Sequence, residues 1–345
     1  MERNMKLHRI GRALGVAMMA ASVVPLAGQA PQVTSSGEGA PPSKATAARP
    51  TPGAKKYTAP RTAWGHPDLQ GLWNNGTVTP LERPADLADR EFLTEKEWAA
   101  YAKEAAERAA HRPADVEADV ALAYDNEWWD RGAPLTRTSL ILDPPNGKLP
   151  ALTPEGQKLV ADLAAERAKR GYADSWVDRP LQERCLLYHG VPPFPTGYNN
   201  NYHIVQTPQT VAIRYEMMAE TRIIPLDGRP HLGPRIPQWM GNSRGRWEGD
   251  TLVVETTDYS PQTTFRFPAD YRTLKVIERF TRTGADTIAY EFTIDDATVW
   301  TRSWTAAFPL RRTDQPMYEY ACHEGNGWSM EGLLRAARTS ERDRR

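Results

Sequence analysis

The sequence predicts an α+β fold, in which an antiparallel β-barrel carries an N-terminal helical and irregular elaboration. Between residues 202 and 324, eight or nine short segments alternate apolar and polar residues and are separated by turn residues. This pattern is typical of antiparallel barrels and sandwiches. No helix-length crossover separates the segments, so few of them could pair in parallel. Helical spacing occurs before them, within residues 94–111 and 153–171.

Two helices and one strand are predicted to precede the barrel. Thr94 followed by Glu97 is a capping box, and apolar residues continue at helical spacing to about residue 111. Pro154 suits the first turn of a second helix, which Gly171 ends. Between the helices, residues 137–142 are predicted to form a strand that a turn rich in Pro and Gly closes.

The predicted barrel strands follow from residue 202. Within each strand, alternate side chains lie on opposite faces, and the pattern does not say which face is inside. The predicted strands are 202–207, 211–218, 222–226, 246–247, 251–257, 274–282, 287–294, 299–310 and 317–323.

Composition divides the chain into segments with different expected roles. Residues 1–30 have the basic start, apolar centre and small-residue end of a secretory signal peptide. Residues 31–60 are rich in Pro, Ala, Ser, Thr and Gly, which predicts a disordered linker. The helical and irregular part is assigned to 61–190, the barrel to 191–330 and a charged tail to 331–345. We therefore expect a periplasmic or secreted protein with no membrane span.

The charge balance argues against nucleic acid or an anionic membrane as a partner. The chain has 43 basic and 43 acidic side chains, and 39 and 42 remain once residues 1–30 are removed. A chain so close to neutral has no basic footprint for either surface. A small organic ligand is the expected partner, and the sequence leaves the oligomeric state open.

The cysteine content favours a disulfide between Cys185 and Cys322. These are the two cysteines of the chain, and both follow the predicted signal peptide. An even pair in an oxidising compartment favours a bridge. Two separate buried thiols, or a nucleophilic cysteine, are the alternatives.

Arg302 is predicted to be a catalytic anion clamp. It shares a predicted strand face with Trp300 and Trp304, which suggests a guanidinium held against aromatic rings. A carboxylate such as Glu278 or Glu319 is expected to face it. The alternative is a structural ion pair that closes the barrel.

Two histidines are candidate general bases. His323 shares a predicted strand face with Glu319, which could orient it. His203 follows a run of asparagines that could supply paired donors and acceptors to a sugar or polyol. Each histidine could instead be packed or solvated. The predicted ligand-binding residues are Asn200, Tyr202, Arg214, Glu216 and Trp304, although Arg214 and Glu216 could also form a solvated outer face.

Several familiar sites are missing from the sequence. It contains no His-Glu-x-x-His or clustered Cys/His spacing of a local metal site, so no metal is predicted. It also contains no P-loop or Gly-x-Gly-x-x-Gly fingerprint, and no cofactor is predicted. Ligands for a metal could still converge in space from distant histidines.

A family resemblance is carried by seven stretches of the chain: 67–73, 79–84, 137–141, 198–202, 222–231, 245–256 and 318–326. These stretches resemble a family of exported bacterial proteins. The resemblance implies export and implies no particular activity. The Trp-x-Gly-Asp-Thr-Leu hairpin at 247–252 is also similar to hairpins of lipocalin-like barrels, whose members include ligand carriers and enzymes.

These observations predict an exported barrel protein that binds a small aromatic or glycosidic molecule. Acid–base chemistry such as elimination, isomerisation or hydrolysis would use Arg302 as clamp, His323 or His203 as base, and Glu319 or Glu278 as orienter or acid. The alternative is a non-catalytic carrier or a cell-envelope interaction module, in which the same groups are structural.

Overall fold

The computed structural model describes residues 57–88, 90–110, 132–171, 174–188 and 190–343. The predicted signal peptide, residues 31–56 of the predicted linker and the last two residues of the predicted tail lie outside this part of the chain.

One antiparallel sheet of ten strands curls into a nearly closed barrel, which confirms the predicted barrel. The strand order is β5-β4-β3-β1-β10-β9-β8-β7-β6, and β2 also pairs with β10. The strands are β1 Gly71–Asn74, β2 Ile141–Asp143, β3 Asn201–Gln206, β4 Thr210–Tyr215, β5 Thr221–Pro225, β6 Asn242–Glu248, β7 Thr251–Thr257, β8 Lys275–Gly284, β9 Thr287–Asp295 and β10 Trp304–Arg312.

In the part of the chain that the structure describes, three α-helices lie outside the sheet: α1 Glu95–Ala110, α2 Pro154–Ala168 and α3 Asn326–Asp343. The capping box of α1 is confirmed, because the Thr94 amide donates to Glu97 Oε2 at 2.9 Å and the Glu97 amide donates to Thr94 Oγ1 at 3.3 Å. In the described part of the chain, no helix has the length and apolar character needed to cross a membrane.

Two parts of the strand assignment were wrong. β1 was not predicted, because its four residues give too short an alternation; it pairs with β3 on one side and β10 on the other. Residues 317–323 alternate as a strand does but lie in irregular structure and turns. Alternation is a property of one segment, whereas a strand also needs a partner edge.

Side chains fill the interior of the barrel. Fully buried aromatic residues from β8, β9 and β10 contact one another, as in the pair Tyr290–Phe308, with ring centroids 5.0 Å apart. A cavity of about 10 Å³ lies among Tyr202, Tyr215 and Tyr290. That volume holds about one water molecule at most, so this part of the interior has no room for an organic ligand.

Candidate functional site

A buried ion pair lies inside the barrel. Arg222 on β5 donates from Nη1 to Glu278 Oε1 on β8 at 3.0 Å, and its Nη2 also contacts Glu278 Oε2. Both side chains are at least 97% buried. Burial alone would lower the pKa of the Arg222 guanidinium, but the Glu278 carboxylate and the Tyr215 hydroxyl raise it above its ordinary value.

The same guanidinium joins the two edges of the sheet. β5 and β6 are its end strands and have no backbone ladder between them. Arg222 crosses this seam, donating from Nε to Ser243 Oγ on β6 at 2.8 Å and from Nη2 to Thr256 Oγ1 on β7 at 2.9 Å. The Tyr290 hydroxyl donates to Glu278 Oε1 at 2.8 Å. Because these groups satisfy one another, the cluster closes the barrel.

Arg302 does not face Glu278 or Glu319, so that predicted pairing was wrong. It lies in an exposed bend before β10 and pairs with Asp143. β10 starts at Trp304, so Arg302 precedes the strand and does not share a strand face with Trp304. The partner of Glu278 is Arg222, which was not among the predicted site residues.

The other predicted catalytic residues lie apart from Glu278. His203 is half-buried on β3, opposite Arg214 of β4, and its neighbours Tyr202 and Ile204 point into the barrel. His203 therefore lies on the outer face. Glu319 and His323 lie in the irregular segment after β10, and both are exposed.

A cleft of about 680 Å³ lies against the outer face of the barrel. Its floor includes Asn201 and Glu216, at the start of β3 and just beyond β4. One wall comes from residues within 182–188 and 198–199, and the other from residues within 315–326. The walls contribute the rings of Tyr188, Tyr198, Tyr318 and Tyr320, together with amides and carboxylates that include Glu319.

A disulfide joins the two walls of this cleft. Cys185 and Cys322 are bridged across 137 residues, with a Cα–Cα distance of 5.8 Å, which confirms the predicted bond. Beside it, Asn326 Nδ2 donates to the Glu183 carbonyl at 2.6 Å. The covalent bond and this hydrogen bond hold the C-terminal segment over the floor.

The floor is a hydrogen-bonded row across neighbouring strands. Glu216 Oε2 accepts from Asn201 Nδ2 at 2.9 Å, and Asn201 Oδ1 accepts from Asn74 Nδ2 at 2.9 Å. Asn200 is fully buried and holds the approach to β3, donating from Nδ2 to the Thr196 carbonyl at 3.0 Å.

The structure separates the predicted ligand-binding residues. Glu216 lines the cleft, and Asn200 supports the loop beside it. Tyr202 and Trp304 belong to the core, and Arg214 is exposed on β4. The tyrosine rings of the walls were not among the predicted binding residues, although three of the four lie in the stretches 198–202 and 318–326 that carry the family resemblance.

A carboxyl group with a raised pKa lies behind one wall. Glu220 Oε1 accepts from the Tyr188 amide at 3.0 Å, and its Oε2 is buried without a hydrogen-bond partner among the described residues. Burial raises the pKa of Glu220 to about 7, against the lowering effect of the Tyr188 amide. Its charge therefore changes near neutral pH.

No group of three or more described His, Cys, Asp or Glu side chains is arranged to hold a metal ion. Comparison of the chain with protein-family models, with curated proteins and with solved structures finds no match. The site is therefore assessed on its own geometry.

Proposed function

We propose that this is an exported, periplasmic or secreted protein that binds a small organic molecule in the cleft above Asn201 and Glu216. One observation carries the proposal. The stretches 198–202 and 318–326 are distant in sequence, yet residues of both line this cleft, and a disulfide joins its walls. The resemblance to exported bacterial proteins and the lipocalin-like class of the barrel are parts of the same proposal. The nearly closed antiparallel sheet supports that class.

The lining favours an aromatic or glycosidic ligand. Four tyrosine rings offer surfaces for a sugar or aromatic ring, while Asn199 and Asn201 offer amide donors and acceptors for hydroxyl groups. The volume of about 680 Å³ falls within the range of small-molecule sites.

Acid–base catalysis is the second candidate function. The carboxylates of Glu216 and Glu319 line the same cleft, as a proton-transferring site would require. His203, Arg302 and His323 are not part of the lining. This arrangement favours binding without turnover, as in a carrier.

The test is calorimetric titration of the mature protein with a library of phenols and phenyl glycosides. Tyr318 lines the cleft and is 71% exposed, whereas Trp328 is 86% exposed on α3 and does not line it. We expect Tyr318→Ala to weaken binding by about 2- to 10-fold through loss of a ring contact. Trp328→Ala is the matched control and should bind as the unsubstituted chain does.

Two results would count against this assignment. Binding in the cleft is wrong if no compound binds, or if the Tyr318 and Trp328 variants bind equally well. Release of phenol from a bound glycoside, lost in Glu319→Gln, would favour the enzyme over the carrier.

A further inference from the structure

A polar row crosses the outer face of the barrel at one rim and extends beyond the cleft. Asn201 of β3 lies opposite Asn74 of β1, Asn74 opposite Arg311 of β10, and Arg311 opposite Thr287 of β9. Directly opposed residues of antiparallel strands point to the same face. Arg311 and Thr287 therefore present a guanidinium and a hydroxyl side by side.

Arg311 has no partner among the described residues. Its Nε is buried without an acceptor, and the half-buried side chain forms no ion pair or hydrogen bond with that part of the chain. Glu216, the carboxylate of the same row, is three strands away, or about 14 Å at the usual strand spacing. That separation is too large for a direct contact.

Other buried arginines of this protein do have acceptors. Arg222 and Arg179 each contact a carboxylate, and Arg282 donates to the carbonyls of Asp68 and Ala285. Arg311 is thus a cation partly removed from water, and no described residue offers it an acceptor to offset the loss of hydration. Burial accordingly lowers the pKa of its guanidinium.

We propose that Arg311 and Thr287 bind the oxyanion group of a ligand, which is a carboxylate, phosphate or sulfate. A guanidinium presents donors that match two oxygens of such a group, and the threonine hydroxyl adds a donor on the same face. The lining of the cleft includes neither residue, so this site is additional to the one proposed above.

The test is thermal unfolding in sodium acetate, phosphate or sulfate, each compared with chloride at equal ionic strength. An oxyanion that binds the folded state should raise Tm with concentration, by about 2 °C or more near saturation. Arg311→Gln should abolish this rise, and Thr287→Val should reduce it. Arg312→Gln is the matched control, because Arg312 is the exposed neighbour on the opposite face and should keep the full response.

The three anions also distinguish the ligand classes. A response to acetate alone indicates a carboxylate, and a response to phosphate and sulfate indicates a tetrahedral oxyanion. In chloride, Arg311→Gln should unfold at the same temperature as the unsubstituted chain or higher, because it removes a desolvated charge. The proposal is overturned if no anion exceeds chloride, or if the Arg311 and Arg312 variants respond alike.

Discussion

Replacing Arg222 with methionine is expected to destabilise the protein by about 3–5 kcal/mol. The change leaves the fully buried Glu278 carboxylate with the Tyr290 hydroxyl as its remaining donor among the contacts described. It also removes the hydrogen bonds to Ser243 and Thr256 across the seam between β5 and β6. Glu278→Leu should lower the free energy of unfolding by about as much, because it leaves the buried Arg222 guanidinium without its carboxylate.

The double variant Arg222→Met/Glu278→Leu should lose far less than the sum of the two single changes. Ser243 and Thr256 can still hydrogen-bond to each other, since their hydroxyl oxygens are 3.0 Å apart. The main cost is the Tyr290 hydroxyl, which loses its acceptor, at about 1–3 kcal/mol. The two sites should therefore couple by about 3 kcal/mol or more.

Urea denaturation followed by tryptophan fluorescence measures all three variants. Arg302→Met is the matched control, because Arg302 pairs with Asp143 while both side chains are about half exposed. An exposed pair of this kind contributes about 0–1 kcal/mol. The Arg222 cluster does not hold the barrel closed if Arg222→Met lowers the free energy of unfolding by no more than Arg302→Met does. The same conclusion follows if the effects of Arg222→Met and Glu278→Leu simply add in the double variant.

Two further predictions concern the walls of the cleft. Burial raises the pKa of Glu220 from 4.5 to about 7, so the folded state binds more protons than the unfolded state between these values, and stability falls as the pH rises through them. Glu220→Gln should remove this pH dependence, and above pH 7 it should be more stable than the unsubstituted chain by up to about 3 kcal/mol. Urea denaturation at a series of pH values from 4.5 to 8 measures this. If the stability of the variant and that of the unsubstituted chain change with pH in the same way, the prediction is wrong. Cys185→Ser/Cys322→Ser should lower the free energy of unfolding by up to about 5 kcal/mol, because the bond closes a loop of 137 residues. Its urea midpoint should match that of the reduced unsubstituted chain, and a midpoint unchanged from the oxidised chain would refute the role of the bond.

The local sequence pattern around Glu278 indicates that its side chain is buried, but not which residue it pairs with. Its alternation with Leu274, Val276 and Phe280 indicates an apolar face, and all four side chains are buried in the core. A carboxylate on such a face needs a buried cation. The sequence does not identify that cation, because contacts across a barrel depend on the stagger of distant strands. The tryptophans beside Arg302 therefore suggested the wrong arginine as the partner of Glu278, which is Arg222.

The cleft was beyond sequence reasoning for a related reason. The stretches 198–202 and 318–326 were singled out, but the second was assigned to a barrel strand. It instead lies outside the sheet and forms a wall above the floor at Asn201. The barrel interior was the expected ligand site, yet aromatic side chains occupy it and the cleft lies on the outer face.

Sequence alone was enough to predict the antiparallel barrel, the capping box of α1 and the bond between Cys185 and Cys322, all of which the structure confirms. The barrel follows from local alternation, the capping box from the spacing of three residues between Thr94 and Glu97, and the disulfide from there being two cysteines to pair. Only the tertiary structure decided that Arg222 meets Glu278, that no described carboxylate pairs with Arg311, and that the cleft lies outside the barrel. These contacts depend on strand register and on the closure of β5 against β6, which no single segment of the chain encodes.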